Sequence, residues 1–130
     1  MRDVVVSSTE TQIAQDIAIG KHSLRADEEV TDGGTDTGPA PHELLLAALG
    51  ACTSMTLRLY AARKGWLLQH VQVTLTGASA SADGKYTITR KIAMGGDLDA
   101  EQRKRLLEIA NKCPVHKTLS GDIEIQTSEA

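Results

Sequence analysis

The chain holds two cysteines, Cys52 and Cys113, and each falls at a helix landmark. Cys52 closes the apolar run Leu44–Cys52, which follows the Gly/Pro loop Asp32–Pro41. Cys113 opens the tetrad Cys113-Pro-Val-His116, where a second helix should end. A thiolate is the nucleophile towards peroxide and towards disulfide sulfur, so two lone thiols far apart in sequence suggest a dithiol redox site rather than a staple. An apolar mid-helix setting raises a thiol pKa, and a reactive Cys52 therefore needs a cationic or hydrogen-bonding neighbour supplied by the fold. Arg58 is nearly two turns away, and Thr53 and Ser54 offer only hydroxyls. Cys113 at a helix C-terminus gains nothing from the macrodipole, which suits a resolving thiol better than a first nucleophile. Pro114 would open the helix there and expose the sulfur. Each cysteine also reads as a small buried hydrophobe, the commonest state of a free thiol.

Other chemistries fit less well. Cys113 and His116 would need two further ligands to hold zinc, and His22, His42 and His70 are dispersed along the chain. No local signature of a cysteine protease surrounds either thiol.

The elements that must position the thiols follow from periodicity. Val4–Val6 is a short β-branched run. Ile13, Ile17 and Ile19 share one strand face that Gln15 interrupts, and Gly20-Lys21 reads as a hairpin turn into a strand over His22–Glu28. Pro41 fits the first turn of a helix with Glu43 near its positive end, and Gly65 ends that helix after Lys64. Its first half is apolar on every side, which predicts burial on every side, and Ala47, Ala48, Gly50 and Ala51 would let another helix approach. Alternation in Val71, Val73, Leu75 and in Tyr86, Ile88, Arg90 predicts two strands joined by a hairpin over Ser81–Lys85. A second amphipathic helix starts near Asp99 and is interrupted at Pro114, Val115–Leu119 form another helical turn, and Ile123–Gln126 alternates as a final strand. The order β-β-β-α-β-β-α-β with hairpin-linked strands means α+β with mainly antiparallel sheet.

Composition bounds the rest. With 130 residues, no Phe and one Trp, the chain is one domain whose core rests on Leu, Ile, Val and Ala. Ala buries little area, so association with a second copy would help to cover its apolar surface. A net charge of −3 without a basic stripe or aromatic platform argues against nucleic acid. The N-terminus lacks the apolar run of a secretion signal, and Leu44–Leu57 is short for a bilayer, so a cytoplasmic location away from membranes is expected.

Gly38-Pro-Ala-Pro-His-Glu-Leu-Leu-Leu-Ala-Ala-Leu-Gly-Ala-Cys-Thr53, followed by Cys113-Pro-Val-His-Lys-Thr-Leu119, resembles the OsmC/Ohr superfamily of osmotically inducible and organic-hydroperoxide-resistance proteins. The resemblance spans the chain. It implies an OsmC-like fold in an intertwined homodimer, with apolar helices packed centrally and the active site at the subunit interface. It implies that Cys52 attacks the O–O bond, that Cys113 resolves the sulfenic acid, and that an external dithiol regenerates the enzyme without any bound cofactor. The substrate would be a small organic hydroperoxide. The family's peroxidases place a glutamate directly after the loop proline and pair it with an N-terminal arginine. Here His42 follows Pro41, and Glu43 comes one place later, rotated by about 100° on a helix. The arginine has no match at its place, which leaves His42, Arg25 and Lys21 as candidate polar partners of Cys52 beside Glu43. The loop wording is closer to the OsmC-like branch than to the hydroperoxide-resistance branch. The alternative is therefore an OsmC-fold ligand-binding or redox-sensing protein without efficient turnover.

Overall fold

A computed structural model describes residues 1–78 and 82–130. The chain divides into two compact units, Met1–Leu45 and Leu46–Ala130.

The first unit is built on a three-stranded antiparallel meander of β1 (Val4–Ser8), β2 (Gln15–Ile19) and β3 (His22–Ala26), with β2 in the middle. The expected turn is present: Ile19 pairs with His22 across Gly20-Lys21, and Gly20 takes φ +57°. Ile13 lies outside β2, because Gln12 adopts a positive φ and the chain turns there, closed by Ala14 N–H donating to Thr11 C=O. The long loop after β3 is organised by Asp27, only 3% exposed. Its carboxylate accepts from the backbone N–H groups of Glu28, Thr35 and Thr37 and from both threonine hydroxyls, at 2.6–3.4 Å. Those donors, the Thr37 and Thr35 hydroxyls foremost, hold its pKa far below the ordinary carboxylate value. Gly34 is needed in that loop, since a Cβ would strike the Glu28 carbonyl.

Helix α1 (Pro41–Lys64) starts in the first unit and belongs mostly to the second. Pro41 opens it and Gly65, at φ +70°, ends it, as the sequence predicts. The hairpin of β4 (His70–Ala78) and β5 (Thr87–Gly95) follows in the expected antiparallel pairing, from His70 opposite Gly95 to Ala78 opposite Thr87. Ser81, the predicted start of its connection, lies outside the described residues. Helix α2 (Ala100–Ala110) begins in a capping box: the Asp99 carboxylate accepts from Gln102 N–H at 2.8 Å, and the Gln102 side chain accepts from Asp99 N–H at 3.0 Å. Helix α3 (Pro114–Ser120) completes the unit. Leu57 and Ala61 from α1 pack with Leu106, Ile109 and Ala110 from α2 and with Leu68, while Tyr60, Trp66, Val71 and Ile92 border this core.

Two expectations need correction within the single chain. Ile123–Gln126 forms no strand: Ile123 and Ile125 are 57% and 84% exposed, and an alternating segment without a ladder partner gains nothing by being extended. The first half of α1 is not buried all round, because only Leu49 and Gly50 of Leu44–Cys52 are buried within the single chain. At position 50 a strand side chain comes close within the chain, since a Cβ on Gly50 would meet Leu75 Cδ1 at 2.7 Å. Helix α1 as a whole is 24 residues long and apolar enough to cross a bilayer by length and composition, a test that the core helix of a soluble protein also passes. Its buried face, Leu49, Thr53, Leu57 and Ala61, is the one that meets protein.

Candidate active site

The Cys113-Pro-Val-His116 tetrad proves to be a helix start. Cys113 is the N-cap of α3 and Pro114 its first residue, rather than Cys113 being a residue at the end of α2, which stops at Ala110. Proline is favoured at that position, where no backbone N–H is required. The first-turn N–H groups have no partners within a helix, and one of them turns to sulfur: His116 N–H donates to Cys113 Sγ at 3.3 Å.

The two thiols meet. Cys113 is fully buried and Cys52 half-buried, each lies near enough to shift the other's titration, and no disulfide joins them. Burial pushes the Cys52 thiol up, but hydrogen bonds from Cys113, Val115 N–H and the Thr56 hydroxyl outweigh it and set the thiol below its ordinary value. Burial pushes the Cys113 thiol up, and its bond to Cys52 pushes it the same way. The pair is thus polarised: Cys52 is the sulfur that ionises first, and Cys113 keeps its proton. The helix-end argument that weakened Cys113 fails, because Cys113 begins α3 rather than ending α2.

Beside the thiols lies a cluster that sequence reasoning missed. Arg90 of β5 donates from Nη1 to Thr53 Oγ1 at 3.0 Å, and from Nη2 to Asn111 Oδ1 at 3.0 Å and to His116 Nδ1 at 3.1 Å. Thr53 is fully buried and returns its own hydroxyl proton to Leu49 C=O at 2.7 Å. A guanidinium has no acceptor, so His116 Nδ1 accepts, and the ring carries its proton on Nε2. Burial first, and then the Arg90 charge, lower the His116 pKa, which keeps the ring neutral at pH 7. A signal was available in the strand pattern: Arg90 occupies the same half-buried face as Ile88 and Ile92, where an arginine must find partners. Arg90, His116, Leu49 and Leu119 also line a cavity of about 430 Å³.

The remaining expected residues are placed elsewhere. The Glu43 carboxylate accepts from Ala40 N–H at 2.8 Å and so caps the start of α1. Nine residues on one helix put Glu43 and Cys52 on opposite faces, about 13 Å apart along the axis. Arg25 sits in β3 opposite Asp16, with its Nε buried and unpartnered among the described residues. Lys21 is exposed in the β2–β3 turn, and His42 is exposed in the first turn of α1. Arg58 is not a thiol partner, because it donates to Leu68 and Gln69 carbonyls at 3.0 and 2.7 Å. Among the described residues no group of three His, Cys, Asp or Glu side chains is placed to hold a metal.

A pH test isolates the polarisation. Iodoacetamide should alkylate Cys52 with a rate that rises with pH to a plateau, with a midpoint below the ordinary thiol value of 9.0. Deprotonation is what the donors favour, so Cys113→Ala, which removes one donor, should move the midpoint upwards. A midpoint at or above 9.0 in the unmodified chain would contradict the assignment.

Comparison with known proteins sets this site in a family. The pattern described as OsmC-like protein matches residues 34–128. An OsmC-like protein from Mycoplasma pneumoniae superposes with a TM-score of 0.79 at 20% identity, covering 93% of this chain and 88% of that one. An organic hydroperoxide resistance protein from Legionella pneumophila superposes at 0.67 and 17% identity, covering 93% and 91%. The organic hydroperoxide resistance protein OhrB of Bacillus subtilis gives 0.65 and 20%, covering 94% and 92%. No curated protein matches the chain. The α+β order and the antiparallel sheets agree with these folds. On the family pattern and the shared fold together, the chain belongs to the OsmC-like protein family.

Proposed function

We propose that the chain is a thiol-dependent peroxidase that reduces organic hydroperoxides. The observation that carries this reading is the polarised pair: the Cys52 thiol is set below its ordinary value and the Cys113 thiol above it, each shifted by the other. The Cys52 thiolate attacks the distal oxygen of R–O–O–H. The S–O bond forms as O–O breaks, and the leaving alkoxide takes a proton to become the alcohol. Cys113 sulfur then attacks the Cys52 sulfenic acid, a disulfide forms and water leaves. An external dithiol reduces that disulfide by exchange and restores both thiols. No bound cofactor enters the cycle. A sulfenic acid beside a resolving thiol is the reversible rung of sulfur oxidation, and Cys113, which shifts the Cys52 titration, takes that role in this proposal. The neighbours that resist organic hydroperoxides support the substrate class. In this proposal Glu43 acts at the start of α1, where its carboxylate accepts from Ala40 N–H.

The working form in this proposal is a homodimer. Met55 and Leu59 on α1 are 65% and 59% exposed, an apolar surface that a second copy would cover.

One observation favours the second reading, a ligand-binding or redox-sensing protein without efficient turnover: among the described residues, the groups that lower the Cys52 thiol are all neutral. Consumption of cumene hydroperoxide and of hydrogen peroxide, each with a dithiol reductant, separates the two. The peroxidase predicts repeated turnover that favours cumene hydroperoxide, and a Cys52–Cys113 disulfide when the dithiol is withheld. One slow, stoichiometric oxidation would replace it with the second reading.

A further inference from the structure

Arg90 reaches the neighbourhood of both cysteines at once. Its Nη1 meets Thr53 of α1, the residue next to Cys52, at 3.0 Å. Its Nη2 meets Asn111, the C-cap of α2, at 3.0 Å and His116, in the first turn of α3, at 3.1 Å. Asn111 stands two residues before Cys113 and His116 three residues after it, so the two Nη2 contacts bracket the second thiol. A guanidinium is a rigid fork, and the direction of Nη1 towards Thr53 therefore fixes that of Nη2 towards His116.

The segment that carries Cys113 has few other anchors of this kind. The N–H groups of Asn111, Lys112 and Cys113 bond back only to α2, through the carbonyls of Glu108, Ile109 and Ala110. Helix α3 is seven residues long and none of them is buried. A helix of that length has no stability of its own, so the charge-assisted bond from Arg90 to its first turn carries weight that it would not carry on a long, packed helix. Arg90 does not act on the first thiol itself. Cys113, Val115 and Thr56 lower the Cys52 thiol, whereas the Arg90 charge acts on His116.

We infer that Arg90 is a positioning residue for thiol pairing: through His116 and Asn111 it holds the Cys113 segment towards Cys52 and so favours a disulfide between them. A loose segment would have to be ordered as the bond forms, and Arg90 keeps it ordered in the dithiol protein. The inference shares with the peroxidase reading only the Cys52–Cys113 disulfide, and it holds whichever oxidant drives the pairing.

The test equilibrates the full-length protein with reduced and oxidised glutathione and reads the Cys52–Cys113 disulfide by alkylation and intact mass. The Cys52 thiolate attacks oxidised glutathione, a mixed disulfide forms, and one glutathione thiolate leaves. Cys113, its proton lost to solvent, displaces the second glutathione and closes the protein disulfide, so glutathione gains the two electrons that the protein loses. Arg90→Gln should lower the equilibrium constant for that disulfide about tenfold, a rise of about 30 mV in its reduction potential. His116→Leu, which lacks the acceptor, should do the same. His116→Asn, whose amide oxygen takes the place of Nδ1, should stay within about threefold of the unmodified chain. Arg103→Gln controls for a merely structural loss, because Arg103 Nη1 donates to Met94 C=O at 3.0 Å, a tie between α2 and β5 away from both cysteines. It should leave the equilibrium in place. If Arg90→Gln fails to fold, the two His116 variants decide. An unchanged equilibrium in a folded Arg90→Gln or His116→Leu protein, a fall in His116→Asn equal to that in His116→Leu, or an equal fall in Arg103→Gln would each overturn the inference. So would the absence of the disulfide in the unmodified chain. A disulfide that depends on Arg90, in a protein that does not turn over cumene hydroperoxide, would overturn the proposed function and leave this inference standing.

Discussion

Cys52→Ser should abolish turnover of cumene hydroperoxide, with a fall in kcat/KM of about 10³-fold or more, because a serine hydroxyl has no accessible anion at neutral pH to attack the O–O bond. Cys113→Ser should behave differently. The serine can still donate a hydrogen bond to Cys52, so the first attack proceeds and one equivalent of peroxide is consumed rapidly. Resolution then fails, the Cys52 sulfenic acid persists, and excess peroxide carries it to the sulfinic acid, which the dithiol does not reverse. Stopped-flow kinetics would show a burst of one equivalent. Intact mass would show one added oxygen on the Cys113→Ser protein and then two. Equal, complete loss of the burst in both variants would mean that Cys113 takes part in the attack itself. Unchanged turnover in Cys52→Ser would remove the thiol chemistry altogether.

These expectations depend on how the tetrad Cys113-Pro-Val-His116 folds, and that was only partly legible in the sequence. The proline gave the break after α2 and the glycine at 65 gave the end of α1, because both act through backbone geometry that is local. Whether Pro114 ended one helix or began another was not local. That choice reverses the sign of the helix-end field at Cys113, and only the structure, with His116 N–H at the sulfur, fixes it. The meeting of Cys52 with Cys113 came through the family resemblance, since no periodicity links residues so far apart in sequence. Arg90 was visible as a charge on an inward strand face, but Asn111 and His116 become its partners only when the ends of α2 and α3 come together. The tail at Ile123–Gln126 shows the opposite failure. Alternation records that a segment could pair on one face, and it carries no information about whether a partner strand is present.

The largest stability loss should come from Leu106→Ala. Leu106 is fully buried among Leu57, Ala61, Leu68, Ile109 and Ala110. Truncation of such a leucine costs about 2–5 kcal/mol, and the position in that range depends on how far the neighbours collapse into the gap. Here they can do little, because two of the five are alanines with no atoms to swing inward, and the chain has no Phe to spread across the void. The upper half of the range is therefore expected, or a fall in melting temperature of about 14–20 °C at about 4 °C per kcal/mol. Against a total stability of about 5–15 kcal/mol, that loss brings the protein near its threshold. Leu106→Met keeps the volume and should cost less than about 1.5 kcal/mol. Leu107→Ala, one residue on and 49% exposed, should change stability by about 0.5 kcal/mol or less. Thermal unfolding of the three variants decides the matter: if Leu106→Ala proves as mild as Leu107→Ala, the α1–α2 packing is not what holds this unit together. If the packing holds it, Leu106→Ala should keep its Cys52 reactivity in the cold and lose it in step with unfolding. The frame that brings Cys113 to Cys52 is α2 and its N-capped successor, and it fails only when α2 comes off α1.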